Sequence, residues 1–113
     1  MQSGMKNNRL VQLKEMLKAD PGDPFLHYAI AQEHLSSGDF QEANTSFAHL
    51  AEAHPDYVAT YYHYGMSLYK SGEENQAVEI WRKGKEVALA AGDRKTAAEI
   101  AEILDDFDDE EDW

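Results

Sequence analysis

Histidines and carboxylates are the residues of this sequence that could support metal binding or proton transfer. Five histidines are spread along the chain. His27 and His34 are seven residues apart, which on one helix separates them by roughly 10 Å along the axis, too far to share an ion. The chain has no His-x-x-x-His pair and no cysteine. We therefore expect no metal site and no disulfide.

Motifs that carry catalysis are also missing. The sequence has no glycine-rich phosphate loop and no nucleophile elbow, and its carboxylates form no pair suited to acid–base chemistry before the acidic C-terminus. Glu73 and Glu74 stand where a helix is expected to begin, and negative charge favours that position. We expect no catalytic residue, no cofactor and no enzymatic activity.

The charge of the chain is strongly negative and unevenly distributed. The net charge is −12, and seven acidic residues fall within residues 105–113. The first predicted helix is basic, whereas no Lys or Arg occurs between Lys18 and Lys70. Without a basic stripe, nucleic acid and anionic membranes are poor partners. No apolar stretch approaches a membrane span and no signal region is recognisable, so we expect a cytoplasmic protein.

The strongest pattern is a repeat with a period of 34 residues. When residues 27–50 are aligned with residues 61–84, small residues fall opposite small ones and bulky residues opposite bulky ones. The aligned pairs are Ala31 with Gly65, Gly38 with Gly72, Ala43 with Ala77, and Phe47 with Trp81. Such a period is typical of stacked helix–turn–helix units. Small residues let helices approach each other, and large ones fill the space beside them. We expect these positions to form the core.

Proline, glycine and hydrophobic periodicity predict six helices. Their predicted ranges are 7–19, 24 up to a stop at Gly38, 40–53, 57–71, 73–91 and 96–104. Breaks with Pro or Gly beside Asp, such as Asp20-Pro21-Gly22, separate them.

These features resemble the tetratricopeptide repeat family. The resemblance rests on Ile30-Ala31, Gly38, Ala43, Phe47 and Pro55 in the first copy, and on Tyr64-Gly65, Gly72, Ala77 and Trp81 in the second. It implies an all-α fold, a right-handed α-solenoid of antiparallel helix hairpins with capping helices. Leu89 stands where the second copy would close with proline.

The expected organisation is one domain over residues 6–104. It comprises a half repeat (6–22), two full repeats (24–57 and 58–91) and a capping helix (93–104). We interpret residues 1–5 as a cloning remnant and residues 105–113 as a disordered acidic tail. Three roles are open for the tail: solvation, fold-back onto the basic first helix, or a docking segment that ends in Trp113.

The family resemblance also implies a binding surface, because first helices of successive pairs line a concave groove. The corresponding residues here are Phe25, Tyr28, Gln32, Leu35, Tyr62, Met66, Tyr69 and Lys70, and Ile100 and Ile103 would extend the groove. Tyrosine and methionine suit peptide recognition. The alternative is that some of these rings pack beneath flanking helices as core.

One subgroup of the family grips C-terminal carboxylates with Lys, Arg and Asn. The matching positions here hold Tyr28, Gln32, His63, Asp93 and Ala97, so the resemblance implies that this clamp is absent. We predict a non-catalytic protein–protein interaction module, an adaptor or scaffold that binds a peptide segment of an unidentified partner in the aromatic groove. The alternative is a self-association module that forms a homodimer through the same surface.

Overall fold

The computed structural model describes residues 2–111 of the chain, and the side chains of residues 8–107. The described residues form six α-helices and no strand. These are α1 (Gln2–Ala19), α2 (Pro24–Ser36), α3 (Phe40–Ala53), α4 (Ala59–Lys70), α5 (Glu74–Ala90) and α6 (Arg94–Glu111). Each helix packs on the next one in the chain, and α2 also contacts α4. This arrangement confirms the predicted all-α solenoid.

Helix ends follow the local sequence. Asp23 caps α2 by accepting a hydrogen bond from the Phe25 backbone N–H at 2.9 Å, and Pro24 occupies the first helical position. The helices α2, α4 and α5 are each followed, two residues after their last residue, by a glycine with positive φ (77° to 91°). After each glycine, a backbone N–H donates to the carbonyl five residues back: Asp39 to His34, Glu73 to Leu68, and Asp93 to Ala88. Glycine is favoured there because it adopts left-handed dihedrals without strain.

The helix boundaries differ from prediction in three places. α1 begins at Gln2, within the segment interpreted as a cloning remnant. α4 begins at Ala59 rather than at residue 57, because the chain turns at residues 54–57, where the Tyr57 N–H donates to the His54 carbonyl at 3.1 Å. α6 spans Arg94–Glu111 rather than residues 96–104.

The early end predicted for α6 was wrong because Phe107 anchors the helix. Its ring lies against Tyr69 and Trp81, with centroids 5.8 Å and 5.7 Å apart. Residues 105–107 therefore belong to the folded domain. Residues 105–111 continue α6, which packs on α5, whereas α1 packs on α2 at the other end of the row. Trp113 lies outside the described residues.

Small and bulky core residues pair as the repeat predicts. Ala31 and Phe47 are fully buried in one cluster between α2 and α3. In the second repeat, a Cβ added at Gly65 would overlap the Trp81 indole. Trp81 is 1% exposed, and its Nε1 donates to the Tyr62 carbonyl at 3.1 Å. The two hairpins thus use the same packing scheme with different residues.

A partly buried polar network joins the two repeats. Ser67 Oγ donates to Asn44 Oδ1 at 2.6 Å, and Asn44 Nδ2 donates to Ser71 Oγ at 3.1 Å. Ser71 Oγ in turn donates to the Leu68 carbonyl at 2.9 Å. Paired polar groups of this kind fix the registry of packed helices, because moving one partner leaves the other buried and unpaired.

Thr60 is a buried polar residue outside this network. It is fully buried, and its Oγ1 has no hydrogen-bond partner among the described residues. Thr60→Val keeps the shape and removes the unpaired hydroxyl, so we expect it to raise the free energy of unfolding by about 1 kcal/mol. Urea denaturation followed by circular dichroism measures the change. Thr60→Ser is the matched control, which loses a methyl group and should destabilise; a less stable valine variant would contradict the prediction.

Candidate functional site: the inner face

Side chains of the first helices of the successive pairs, α2, α4 and α6, meet from one pair to the next. Tyr28 of α2 meets His63 of α4 with ring centroids 5.6 Å apart, and Tyr69 of α4 meets Phe107 of α6. We call this surface the inner face and define it by the residues Phe25, Tyr28, Gln32, Leu35, Tyr62, Met66, Tyr69, Lys70, Ile103 and Phe107. Two groups of contacts organise it.

The first group is centred on Tyr28, which is half-buried. Its ring packs edge-on against Tyr57 and His63 at centroid distances of 6.0 Å and 5.6 Å, and lies 6.5 Å from Phe47. Gln32 Nε2 donates to the Tyr28 hydroxyl at 2.9 Å, and that hydroxyl lies 2.9 Å from His63 Nδ1. Because the hydroxyl accepts from Gln32, its own proton is available to His63, which fits a neutral imidazole protonated at Nε2.

Burial lowers the pKa of His63 below its ordinary value of 6.5, and the backbone hydrogen bond with Ala59 opposes part of that shift. The rings that face the imidazole are Tyr28 and Tyr62. Burial also raises the pKa of Tyr28, so it remains a neutral phenol at physiological pH. The contact between α2 and α4 therefore depends on an uncharged His63.

We expect His63 to make the protein less stable in mild acid. Its folded-state pKa is depressed, so the unfolded chain binds the proton more readily as the pH falls. The stability contributed by neutral His63 is present above pH 6.5 and is lost as the pH drops through that value towards the lower folded pKa. The free energy of unfolding, measured by urea titration between pH 7.5 and pH 5 (~0.5-unit steps), should fall less in His63→Gln than in the wild type. Parallel curves would contradict this expectation.

The second group forms a cleft between α4, α5 and α6, which we call the α4–α6 cleft. Its volume is about 280 Å³, and it is lined by Met66, Tyr69, Glu74, Trp81, Ile103, Asp106 and Phe107. The Tyr69 ring lies 6.3 Å from Trp81 and remains 47% exposed. Five of the seven lining residues are thus apolar or aromatic, and the other two are acidic.

The predicted groove residues are distributed unevenly over these two groups. Tyr28 and Gln32 belong to the first group, whereas Met66 and Tyr69 line the cleft. Tyr62 is half-buried and packs edge-on against His63 at 5.1 Å, and Leu35 packs on the Phe47 cluster. Phe25 is 54% exposed in the first turn of α2, and Lys70 is exposed at the end of α4.

One expectation for the extension of the groove was wrong. Ile100 is fully buried, because it packs in the core with Trp81 and Leu104. Ile103, one helical turn later, does line the cleft. Sequence reasoning also missed Phe107, although Ile100, Ile103, Leu104 and Phe107 follow a helical spacing.

Other kinds of site find no support in the described part of the chain. Among the residues with described side chains, no three histidines or carboxylates are grouped to hold a metal ion. Within residues 2–111, no helix is long and apolar enough to cross a membrane.

Comparison with known proteins identifies the family. No protein-family model and no curated protein matches the chain. Among solved structures, a tetratricopeptide repeat domain protein from Salinibacter ruber is 39% identical, with a TM-score of 0.71; the match covers 75% of this chain and 86% of that one. The chain belongs to the tetratricopeptide repeat family.

Other solved structures share the tetratricopeptide fold at lower identity. The type III secretion translocator chaperone SycD of Yersinia enterocolitica is 15% identical over 92% of this chain and 78% of that chain, with a TM-score of 0.82. PcrH, solved in complex with the chaperone binding region of PopD, is 15% identical over 97% of this chain and 84% of that chain, with a TM-score of 0.84. At these identities the likeness shows the fold alone.

Proposed function

We propose that this tetratricopeptide protein is a protein-interaction module that holds a peptide segment of its partner on the inner face. The observation that carries the proposal is the α4–α6 cleft, where Tyr69 is 47% exposed beside Met66, Ile103 and Phe107. Aromatic and methionine side chains around a concave site are suited to a peptide, because tyrosine offers a large contact area with little rotamer entropy to lose and methionine adapts its shape.

The other group on the inner face supports the same use. Tyr28 is fixed by Gln32 and His63 before any partner arrives. A preorganised surface loses little conformational entropy on binding. The family comparison adds that PcrH, which has the same fold, is solved with a binding region of another protein. The proposal assigns no catalysis and no cofactor to this surface.

Selection from a random dodecapeptide phage library tests the proposal. Peptides enriched on the wild-type protein should shift backbone amide signals of α2, α4 and α6 in NMR spectra. Tyr62→Ala/Met66→Ala should weaken their binding at least about tenfold, since the few residues that dominate an interface each cost about 2 kcal/mol or more when truncated.

Leu89→Ala provides the control, because Leu89 is 55% exposed and lies beside Arg82 and Lys85 of α5, away from the inner face. Equal loss of binding in the control, or signal shifts confined to α3 and α5, would contradict the proposal. Light scattering at several protein concentrations tests the homodimer alternative, in which a dimer would bury Tyr62 and Tyr69.

A further inference from the structure

We propose that the α4–α6 cleft binds a segment in which an apolar side chain is flanked by lysine or arginine. This inference rests on the proposed function and names the chemistry of the partner. It follows from two properties of the cleft: its apolar side chains, and two carboxylates that have no ion-pair partner among the described residues.

The apolar walls define the first half of the ligand. Met66 and Ile103 are half-buried, and the rings of Tyr69, Trp81 and Phe107 lie within 6.3 Å of each other, centroid to centroid. This cleft of about 280 Å³ leaves room for one large apolar side chain. Burying such a side chain against aromatic rings supplies the non-polar part of the affinity.

The charge at the cleft defines the second half. Glu74 and Asp106 both line it and both are exposed. Among the described residues, neither has an ion-pair partner; the ion pairs there are Arg9 with Glu33 and Lys18 with Glu15. Two carboxylates beside an apolar cleft favour a ligand that places cations next to its apolar anchor.

The surroundings strengthen the negative potential. Glu102 and Asp105 are exposed on α6, and Glu73 is exposed just before α5. Lys70 is the only Lys or Arg between Lys18 and Arg82. The cations of α5 and α6 are not among the residues that line the cleft; they are Arg82, Lys83, Lys85, Arg94 and Lys95. An acidic segment would be repelled here.

Matched peptides test the inference. The probes are two octapeptides with blocked ends, each with a central Leu-Phe pair between Gly-Ser ends; the pair is flanked on both sides by lysine in one and by glutamate in the other. At low salt, the lysine peptide should bind roughly fivefold to tenfold more tightly by NMR titration, the range expected for two partly exposed ion pairs. Its signal shifts should centre on Met66, Tyr69 and Ile103. The preference should shrink as salt rises.

Charge variants separate the cleft from the overall charge. Glu74→Gln/Asp106→Asn should bring the two affinities to within about twofold. Glu79→Gln/Glu86→Gln removes the same charge from exposed positions of α5 outside the cleft lining and should leave the preference intact. Circular dichroism confirms that each variant is folded.

Three results would overturn the inference: equal affinities for the two peptides, equal loss of preference in the two variants, or no binding of the lysine peptide. None of them decides the proposed function, because the library selection tests the inner face without any assumption about ligand charge. Selected peptides that bind the inner face but lack cations would therefore overturn this inference and leave the proposed function standing.

Discussion

Gly65→Ala should destabilise the protein by about 1–3 kcal/mol, the usual cost of overpacking a core. A Cβ at this position would overlap the five-membered ring of the Trp81 indole. The indole cannot move away easily, because Trp81 is 1% exposed and its Nε1 donates a hydrogen bond to the Tyr62 carbonyl. Alanine ordinarily stabilises a helix relative to glycine by about 1 kcal/mol, so a loss of stability would identify the close packing as its cause.

The first repeat shows how this loss can be reversed. The positions equivalent to Gly65 and Trp81 hold Ala31 and Phe47, which are both fully buried. Gly65→Ala combined with Trp81→Phe reproduces that pair and removes the ring atoms that alanine would meet. The double variant should therefore lose less stability than the two single variants lose together, by about 1 kcal/mol or more.

A double-mutant cycle measured by urea denaturation tests the coupling. Gly22→Ala is the matched control, because a Cβ at Gly22 meets no atom within 4 Å. Gly22→Ala should change the free energy of unfolding little, whether alone or combined with Trp81→Phe. Additive effects of Gly65→Ala and Trp81→Phe would show that the two side chains do not limit each other.

Trp81→Ala should destabilise the protein by about 3–5 kcal/mol, the largest effect that we expect from any single truncation. The substitution leaves a cavity at the junction of α4, α5 and α6, where Trp81 packs with Leu68, Ile100 and Leu104. It also leaves the Tyr62 carbonyl without its indole donor. Such a loss is a large part of the roughly 5–15 kcal/mol that stabilises a typical domain.

The midpoint of urea unfolding, followed by circular dichroism, measures this loss. Leu89→Ala on the same helix is the control, since Leu89 is 55% exposed and should change stability by less than about 0.5 kcal/mol. A midpoint for Trp81→Ala near that of the control would contradict the packing described for the second repeat.

Much of the fold could be predicted from the sequence because repeat position and packing role coincide. Small and bulky residues recur at matching positions with the period of 34, and the structure buries them in pairs. The end of α6 could not be placed in this way. The many acidic residues after Leu104 favour disorder by composition, and the local sequence does not show that Phe107 meets Tyr69 and Trp81 of other helices.

The candidate site was predictable only in part. Helical spacing and the family resemblance indicate which side chains belong to the first helices, but they do not distinguish a free ring from one that is already engaged. Tyr28 and Tyr69 illustrate this, since the first is held by Gln32 and His63 whereas the second is 47% exposed. Glu74 at the start of α5 and Asp106 near the end of α6 reach one cleft only because α6 packs on α5.

The row of helices has a consequence for how the chain folds. Apart from the contacts of α2 with α4 and of α4 with α6, each helix packs mainly on its immediate neighbours in the sequence. Such local topology needs few long loop closures, so it favours rapid folding that starts at any hairpin and spreads in both directions. Pulled by its two ends, the molecule should open from the outermost helices inward, one hairpin after another, rather than in a single step.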